Sequence, residues 1–398
     1  MSAIPVRADW LSRAAYSGMF FFGVVMAVLG AVLPLLTGQV HLELSQAGNL
    51  FFAMNFAMLV SMLGLGPFMD RFGKKAVLVG GPLFVAAALA LMAAAASYAT
   101  MIASVVLLGL GGGALNGGTN TLVADLHSDS RAKSSALNLL GVFFGFGALF
   151  LPFVIGSLVK SLGLAPILYI TVALSLLPAV LFAALTFPHS KHEKGLPLGE
   201  VASLAHNRLV LSLGFLLFFE SGNEFIMGGY TSTYLTRQLG SPVPVASYLL
   251  AAYWGAIMVG RVVSSRLVLR IKPSTMILAS SVGAAAGVAV LLAAQSEFIA
   301  GVGIAIAGFS FASIYPVTLG FAGSRFEAYS GSVFGILFAI ALVGGMILPW
   351  SVGQLAQSHG LRAALAIVFG NCAMMFLLQL AISARMGEGV LAWRQPGK

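Results

Sequence analysis

Gly66-Pro67-Phe68-Met69-Asp70-Arg71-Phe72-Gly73-Lys74-Lys75-Ala76-Val77-Leu78 is a short, strongly basic turn between two long apolar runs. A turn this short between spanning segments must reverse the chain within a few residues. Gly73 offers the left-handed backbone geometry for that, and Asp70 can cap or face a neighbouring helix end. Arg71, Lys74 and Lys75 then anchor the turn on the cytoplasmic side, where short loops gather basic residues.

Composition points the same way. A soluble chain would carry about a quarter charged residues, whereas this chain of 398 carries 8%, against 59% hydrophobic. It reads as a polytopic membrane protein. The formal net charge of +9 does not signal nucleic acid, because basic residues confined to short loops between apolar spans report topology. The single cysteine, Cys372, lies inside an apolar run, which excludes an intramolecular disulfide and a Cys-based metal site. Arg7 and Arg13 precede an apolar run reaching Leu36, too long for a signal-peptide core, so this segment reads as a retained first helix.

Apolar runs long enough to cross a bilayer fall at about 14–36, 44–68, 76–96, 101–126, 134–159 and 165–187. Six more fall at about 209–235, 245–268, 275–294, 298–322, 331–355 and 362–386. Of the 21 Lys and Arg, seventeen lie in the segments expected on the cytoplasmic side and three, Lys160, Arg237 and Arg362, on the other; Arg261 lies within a span. That asymmetry predicts both termini inside the cell. The extended polar stretch Pro188 to His206 separates the two sets of six and reads as a solvated linker, despite its histidines. The predicted organisation is therefore a six-helix bundle over 1–187, a cytoplasmic linker over 188–206 and a second six-helix bundle over 207–398.

The pattern Gly-x-x-x-Asp-Arg-x-Gly-Lys-Lys-x-x-Leu after the second run resembles the signature loop of the major facilitator superfamily. The halves also repeat. At an offset of 197, Gly147, Leu151, Pro152, Gly156, Ser161, Gly163 and Leu164 meet Gly344, Leu348, Pro349, Gly353, Ser358, Gly360 and Leu361, and Thr121-Leu122 meets Thr318-Leu319. Two parallel six-helix repeats with a central site between them are the arrangement that this resemblance implies. The same glycines and prolines also serve helix packing and kinking.

Because a charge inside the bilayer costs several kcal/mol on insertion scales, an ionisable residue there is a functional candidate by default. Glu220 and Glu224 are four apart in the seventh run, on one helical face. Two carboxylates this close in a low dielectric disfavour double ionisation, so one could carry a proton. Alternatively, with Asn223, they could bind Na⁺ or accept hydrogen bonds from sugar hydroxyls, or one could simply pair with Arg261 of the eighth run. Arg261 reads as a gate or packing cation. Asn116 and Asn120 share a face of the fourth run and suit hydroxylated cargo or interhelical contacts, and Asn55 is a further amide in the second. Tyr230, Tyr253, Trp254 and Tyr315 could stack on a sugar ring. Asp125, near Arg131 and Lys133, joins Asp70, Arg71, Lys74, Lys75 and Arg261 as an expected inner gating layer. Gly109-Leu110-Gly111-Gly112-Gly113 lacks the strand and Lys of a phosphate loop, and no zinc or Ser/His/Asp spacing is visible, so no enzyme and no cofactor is expected.

Within the superfamily, Glu224 with Gly228-Gly229-Tyr230, Trp254-Gly255 with Gly260-Arg261, and Gly308 to Pro316 are similar to the fucose/glucose-galactose/H⁺ symporter branch, which includes Na⁺-dependent glucose transporters. The resemblance implies a sugar or polyol moved with H⁺ or Na⁺. One departure stands out: Asn116, in Gly113-Ala114-Leu115-Asn116, occupies the place of an acid in that branch, with Asn120 retained. Coupling, if present, is then expected at Glu220 and Glu224 or through Na⁺. The expected protein is a monomeric secondary transporter of the bacterial inner membrane, with a small-molecule substrate, the bilayer as solvent and no nucleic-acid partner. The alternative is an H⁺-antiporting efflux pump for drugs or lipophilic cations.

Overall fold

The structure, a computed structural model, describes residues 5–39, 42–127, 130–187, 204–326 and 329–386. Among them are twelve helices long and apolar enough to cross a membrane: α1 Asp9–Leu36, α2 Leu44–Leu65, α3 Arg71–Ala93, α4 Tyr98–Leu126, α5 Ser135–Leu162 and α6 Leu164–Ala184. The second set is α7 Arg208–Gln238, α8 Val243–Leu267, α9 Pro273–Ala293, α10 Glu297–Arg325, α11 Gly331–His359 and α12 Leu361–Arg385. The described residues contain no strand; the protein is an all-α, multi-pass membrane protein. The turn Gly66 to Leu78 is more helical than its sequence suggests: helical backbone runs from Leu44 to Ala93 and breaks at Gly73, with φ 79° and ψ 160°. A side chain rarely adopts that φ, which is why glycine stands there.

Contacts divide the chain into two compact units. The first comprises Met1–Glu43, Leu50–Gly195 and Val243–Ala251; the second comprises Leu44–Asn49, Leu196–Pro242 and Ala252–Lys398. The sequence-based linker at 188–206 lies, up to residue 203, outside the described residues.

In the first unit α1 packs against α4, α5 and α6. In the second, α7 packs against α10, α11 and α12, while α9 packs against α10 and α12. The two units repeat this plan down to single glycines. Gly147 of α5 lies against the Phe20 carbonyl of α1, and Gly344 of α11 lies against the Phe218 carbonyl of α7. Gly109 meets the Met54 carbonyl as Gly308 meets that of Tyr253. Ser97 caps α4 through the Thr100 amide as Ser296 caps α10 through the Ile299 amide. Gly163 and Gly360, with φ of 78° and 82°, turn the chain into α6 and α12. The offset is 197 at these last two, but 199 between the α4 and α10 positions just named. The match of Thr121-Leu122 to Thr318-Leu319 at 197 is therefore not a packing equivalence.

The second unit also takes in the first turn of α2. Gln357 Oε1 accepts from the Leu44 amide at 3.2 Å, Gln354 donates to the Ser45 carbonyl at 3.1 Å, and the Trp350 indole donates to Asn49 Oδ1 at 3.0 Å. Gly48 and Gly353 cross so closely there that a Cβ on Gly353 would lie 2.7 Å from Gly48 Cα.

Candidate functional site

α7 carries the site because its middle has no outward face: every residue from Glu220 to Leu235 is buried. An amphipathic helix would keep acids on a wet side; here both acids are enclosed by protein. Glu220 is fully buried and Glu224 is 8% exposed. Arg261 of α8 brings Nη2 to 4.0 Å from Glu224 Oε1. Neither carboxyl oxygen of Glu220 has a hydrogen bond of ordinary geometry among the described residues. The charges acting on it are those of Glu224 and Arg261. Tyr253 of α8 and Tyr315 of α10 lie near enough to feel both acids and Arg261. The Tyr253 hydroxyl is buried without a hydrogen-bond partner among the described residues.

Aromatic packing fixes this group. Trp254 meets Tyr253 edge to face, with ring centroids 5.4 Å apart. Its indole fills the space that Gly228 leaves on α7: a Cβ there would lie 2.7 Å from Trp254 Cζ2. Tyr315 stacks on Phe338 at 6.1 Å. Two other α7 candidates are tied into neighbouring helices. The Tyr230 hydroxyl donates to the Pro349 carbonyl of α11 at 3.0 Å. Asn223 Oδ1 accepts from Asn371 Nδ2 of α12 at 2.7 Å, and its own Nδ2 lies 3.8 Å from Cys372 Sγ. Asn371 is a neighbour of the site that residue spacing does not single out; its one sequence signal is an amide within an apolar run.

The remaining candidates lie in the first unit. Asn55 is fully buried, donates to the Phe51 carbonyl at 3.0 Å, and keeps Oδ1 without a partner among the described residues. Asn120 donates through Nδ2 to the Asn116 backbone carbonyl at 2.8 Å and to the Asn116 Oδ1 at 3.0 Å. In the expected gating layer, Lys74 forms an ion pair with Asp125. Lys75 donates to the Leu185 carbonyl at 3.1 Å, just beyond the end of α6, and Arg71 lies over the Phe72 ring. The side chain of Asp70 lies outside those described. The structure thus gathers Glu220, Glu224, Arg261, Tyr253 and Tyr315 into one polar cluster, and Lys74 with Asp125 into another.

Among the described residues no three His, Cys, Asp or Glu side chains converge as a metal site would require. A groove of about 610 Å³ at the adjoining ends of α9, α11 and α12, lined by Leu292, His359, Arg362 and Phe369, involves none of the candidates.

The sequence profile of the Major Facilitator Superfamily matches residues 15–219. Over 369 residues the chain is 25% identical to the uncharacterized MFS-type transporter YfkL of Bacillus subtilis (strain 168), covering 89% of this chain and 91% of that one. It is 24% identical over 361 residues to the fosmidomycin resistance protein of Escherichia coli (strain K12), covering 89% and 87%. In fold it matches the crystal structure of a D-xylose-proton symporter with a TM-score of 0.79 at 17% identity, over 94% of this chain and 97% of that chain.

Proposed function

The chain belongs to the major facilitator superfamily, and on that premise we propose that it moves a small hydroxylated solute, a sugar or polyol, across the membrane by alternating access. It is a transporter and not an enzyme. The observation that carries the reading is the pair of buried acids Glu220 and Glu224, with the partly exposed Arg261 at Glu224, near the unpartnered Tyr253 hydroxyl. Buried polar atoms without partners are costly, and a cargo bearing hydroxyls can supply both donors and acceptors to them. A greasy cation supplies neither. Asn55, with its own unpartnered Oδ1, is assigned to cargo binding on the same ground, and Asn116, Asn120, Trp254 and Tyr315 are assigned to cargo binding as well.

Uptake is coupled to H⁺ or Na⁺ through the α7 acids. Asp70, Arg71, Lys74, Lys75, Asp125 and Arg261 are assigned to cytoplasmic gating. The chain works as a monomer in a bacterial inner membrane, with both termini in the cytoplasm as its basic residues direct.

The test is reconstitution into liposomes and uptake measured across a panel of sugars and polyols, D-xylose included, under imposed Na⁺ and pH gradients separately. The expected outcome is gradient-driven uptake of at least one panel member. Glu224→Gln should abolish driven uptake while counterflow of the same solute persists. Tetraphenylphosphonium extrusion with no panel member carried would overturn the reading in favour of efflux.

A further inference from the structure

We propose that the groove where α9 meets the corner between α11 and α12 binds an anionic phospholipid, with the phosphate held by Arg362 and His359 and an acyl chain laid along α9 and α12. The site is apart from the acids of α7 and stands whatever the cargo.

The groove holds about 610 Å³, within the range of ~300–1,000 Å³ typical of small-ligand sites. Alanines open it: Ala289 and Ala293, one helical turn apart on α9, face it together with Ala363 and Ala366 of α12, and all four are exposed. Side chains this short keep both helix surfaces low, while Leu292 and Phe369 line the hollow with hydrocarbon. The polar groups stand at one end only. His359 is the last residue of α11 and Arg362 the second of α12, so both lie at the edge of their spans. Phe369, seven residues further along α12, lies about 10 Å deeper at helical rise. A charged mouth over an apolar body repeats the polarity of a lipid, whereas a soluble anion has no use for the apolar part.

Charge selects the headgroup. Arg362 and His359 are exposed, and among the described residues neither has an ion-pair partner. The forked donors of a guanidinium match phosphate oxygens, and basic pockets between membrane helices are where anionic headgroups settle. Ser358 Oγ lies 2.7 Å from His359 Nδ1. With that hydroxyl donating, the neutral ring carries its proton on Nε2, a further donor for the same phosphate. No carboxylate lines the groove, so the ammonium of a zwitterionic headgroup finds no counter-charge there. Phosphatidylglycerol therefore fits better than phosphatidylcholine. One such lipid would tie the end of α9 to the turn between α11 and α12.

The test is native mass spectrometry of the full chain, released from bilayers holding phosphatidylglycerol and phosphatidylcholine in equal amounts. The wild type should retain phosphatidylglycerol in preference. Arg362→Gln should lower that retention about fivefold, the worth of one basic residue at an anionic membrane surface, and leave phosphatidylcholine unchanged. Arg237→Gln, in the last turn of α7 and outside the groove, should lower it far less. Ala366→Phe, which fills the groove and keeps both basic groups, should also reduce retention. Glycerol phosphate, a headgroup without chains, should fail to displace the lipid from the wild type. Equal retention of the two lipids by the wild type would overturn the site, as would equal losses in Arg362→Gln and Arg237→Gln or undiminished retention in Ala366→Phe. Displacement by glycerol phosphate would overturn it in favour of a soluble anion. If Ala366→Phe fails to fold, the arginine pair and the wild-type competition still decide.

Discussion

Replacing Gly344 by alanine probes the seam that holds α7, and with it the acids, in place. A Cβ at Gly344 would stand 2.6 Å from the Phe218 carbonyl carbon and 2.7 Å from its Cα, with the carbonyl oxygen closer still. Ordinary contact begins near 3.4 Å, so α7 and α11 would have to part by roughly 1 Å, in an interior packed like a crystal. The obstruction is backbone and no rotamer relieves it. The same seam seats Leu348 on Gly222 and Phe225 on Gly345, so parting the helices loosens every layer. Overpacking costs about 1–3 kcal/mol when side chains can yield, and this site belongs at or above about 3 kcal/mol. Phe218 is two residues before Glu220, so function should suffer even where folding survives. The control is built in: Gly335→Ala, nine residues earlier on α11, meets nothing within 4 Å and should be neutral or stabilising by up to about 1 kcal/mol. Thermal unfolding in detergent, with size-exclusion recovery, measures both. Equal stability of Gly344→Ala and Gly335→Ala would refute the reasoning. The first unit supplies a replicate, Gly147→Ala against Gly141→Ala, facing Phe20 and open space respectively.

Other perturbations follow the same logic. Gly228→Ala should push Trp254 off α7 at a cost of about 1–3 kcal/mol, and Trp254→Phe in that background should recover part of it, as read by thermal unfolding. A double-mutant cycle of Asn223→Ala and Asn371→Ala should return a coupling of about 0.6–1.7 kcal/mol, the range for hydrogen bonds between membrane helices; zero coupling would mean that the 2.7 Å contact adds nothing to stability. Lys74→Met should destabilise by about 1–3 kcal/mol by stranding Asp125. Lys74→Met with Asp125→Leu should regain most of that, and a double variant no better than the single would count against a structural role for the pair.

What the sequence discloses, and what it withholds, follows from which energies depend on spacing along the chain. The twelve spans were legible because apolar length alone decides bilayer crossing; α9, expected at 275–294, runs Pro273–Ala293. The Gly73 break was legible as well, since its left-handed backbone is a local requirement. The helical path up to that residue was not, because nothing in Pro67 or Asp70 states how late a helix ends. Glu220, Glu224 and Arg261 stood out because charge in an apolar run is expensive. Their pairing was open until the rotation of α7 against α8 placed Arg261 beside Glu224 and left Glu220 unmatched. Tyr230 shows the same limit: its tie to the Pro349 carbonyl depends on how two distant helices turn toward each other, which residue spacing does not encode. The repeat was read at a single offset, whereas the α4 and α10 packing positions follow a shift of two residues.

The solitary thiol at Cys372 has a practical corollary. It is enclosed within α12 against Asn223, so water-borne maleimides should pass the native chain by. A cysteine introduced on any outward position would then be the sole labelled group, and its reaction rate would report the passage of water to that spot without first removing the native sulfur.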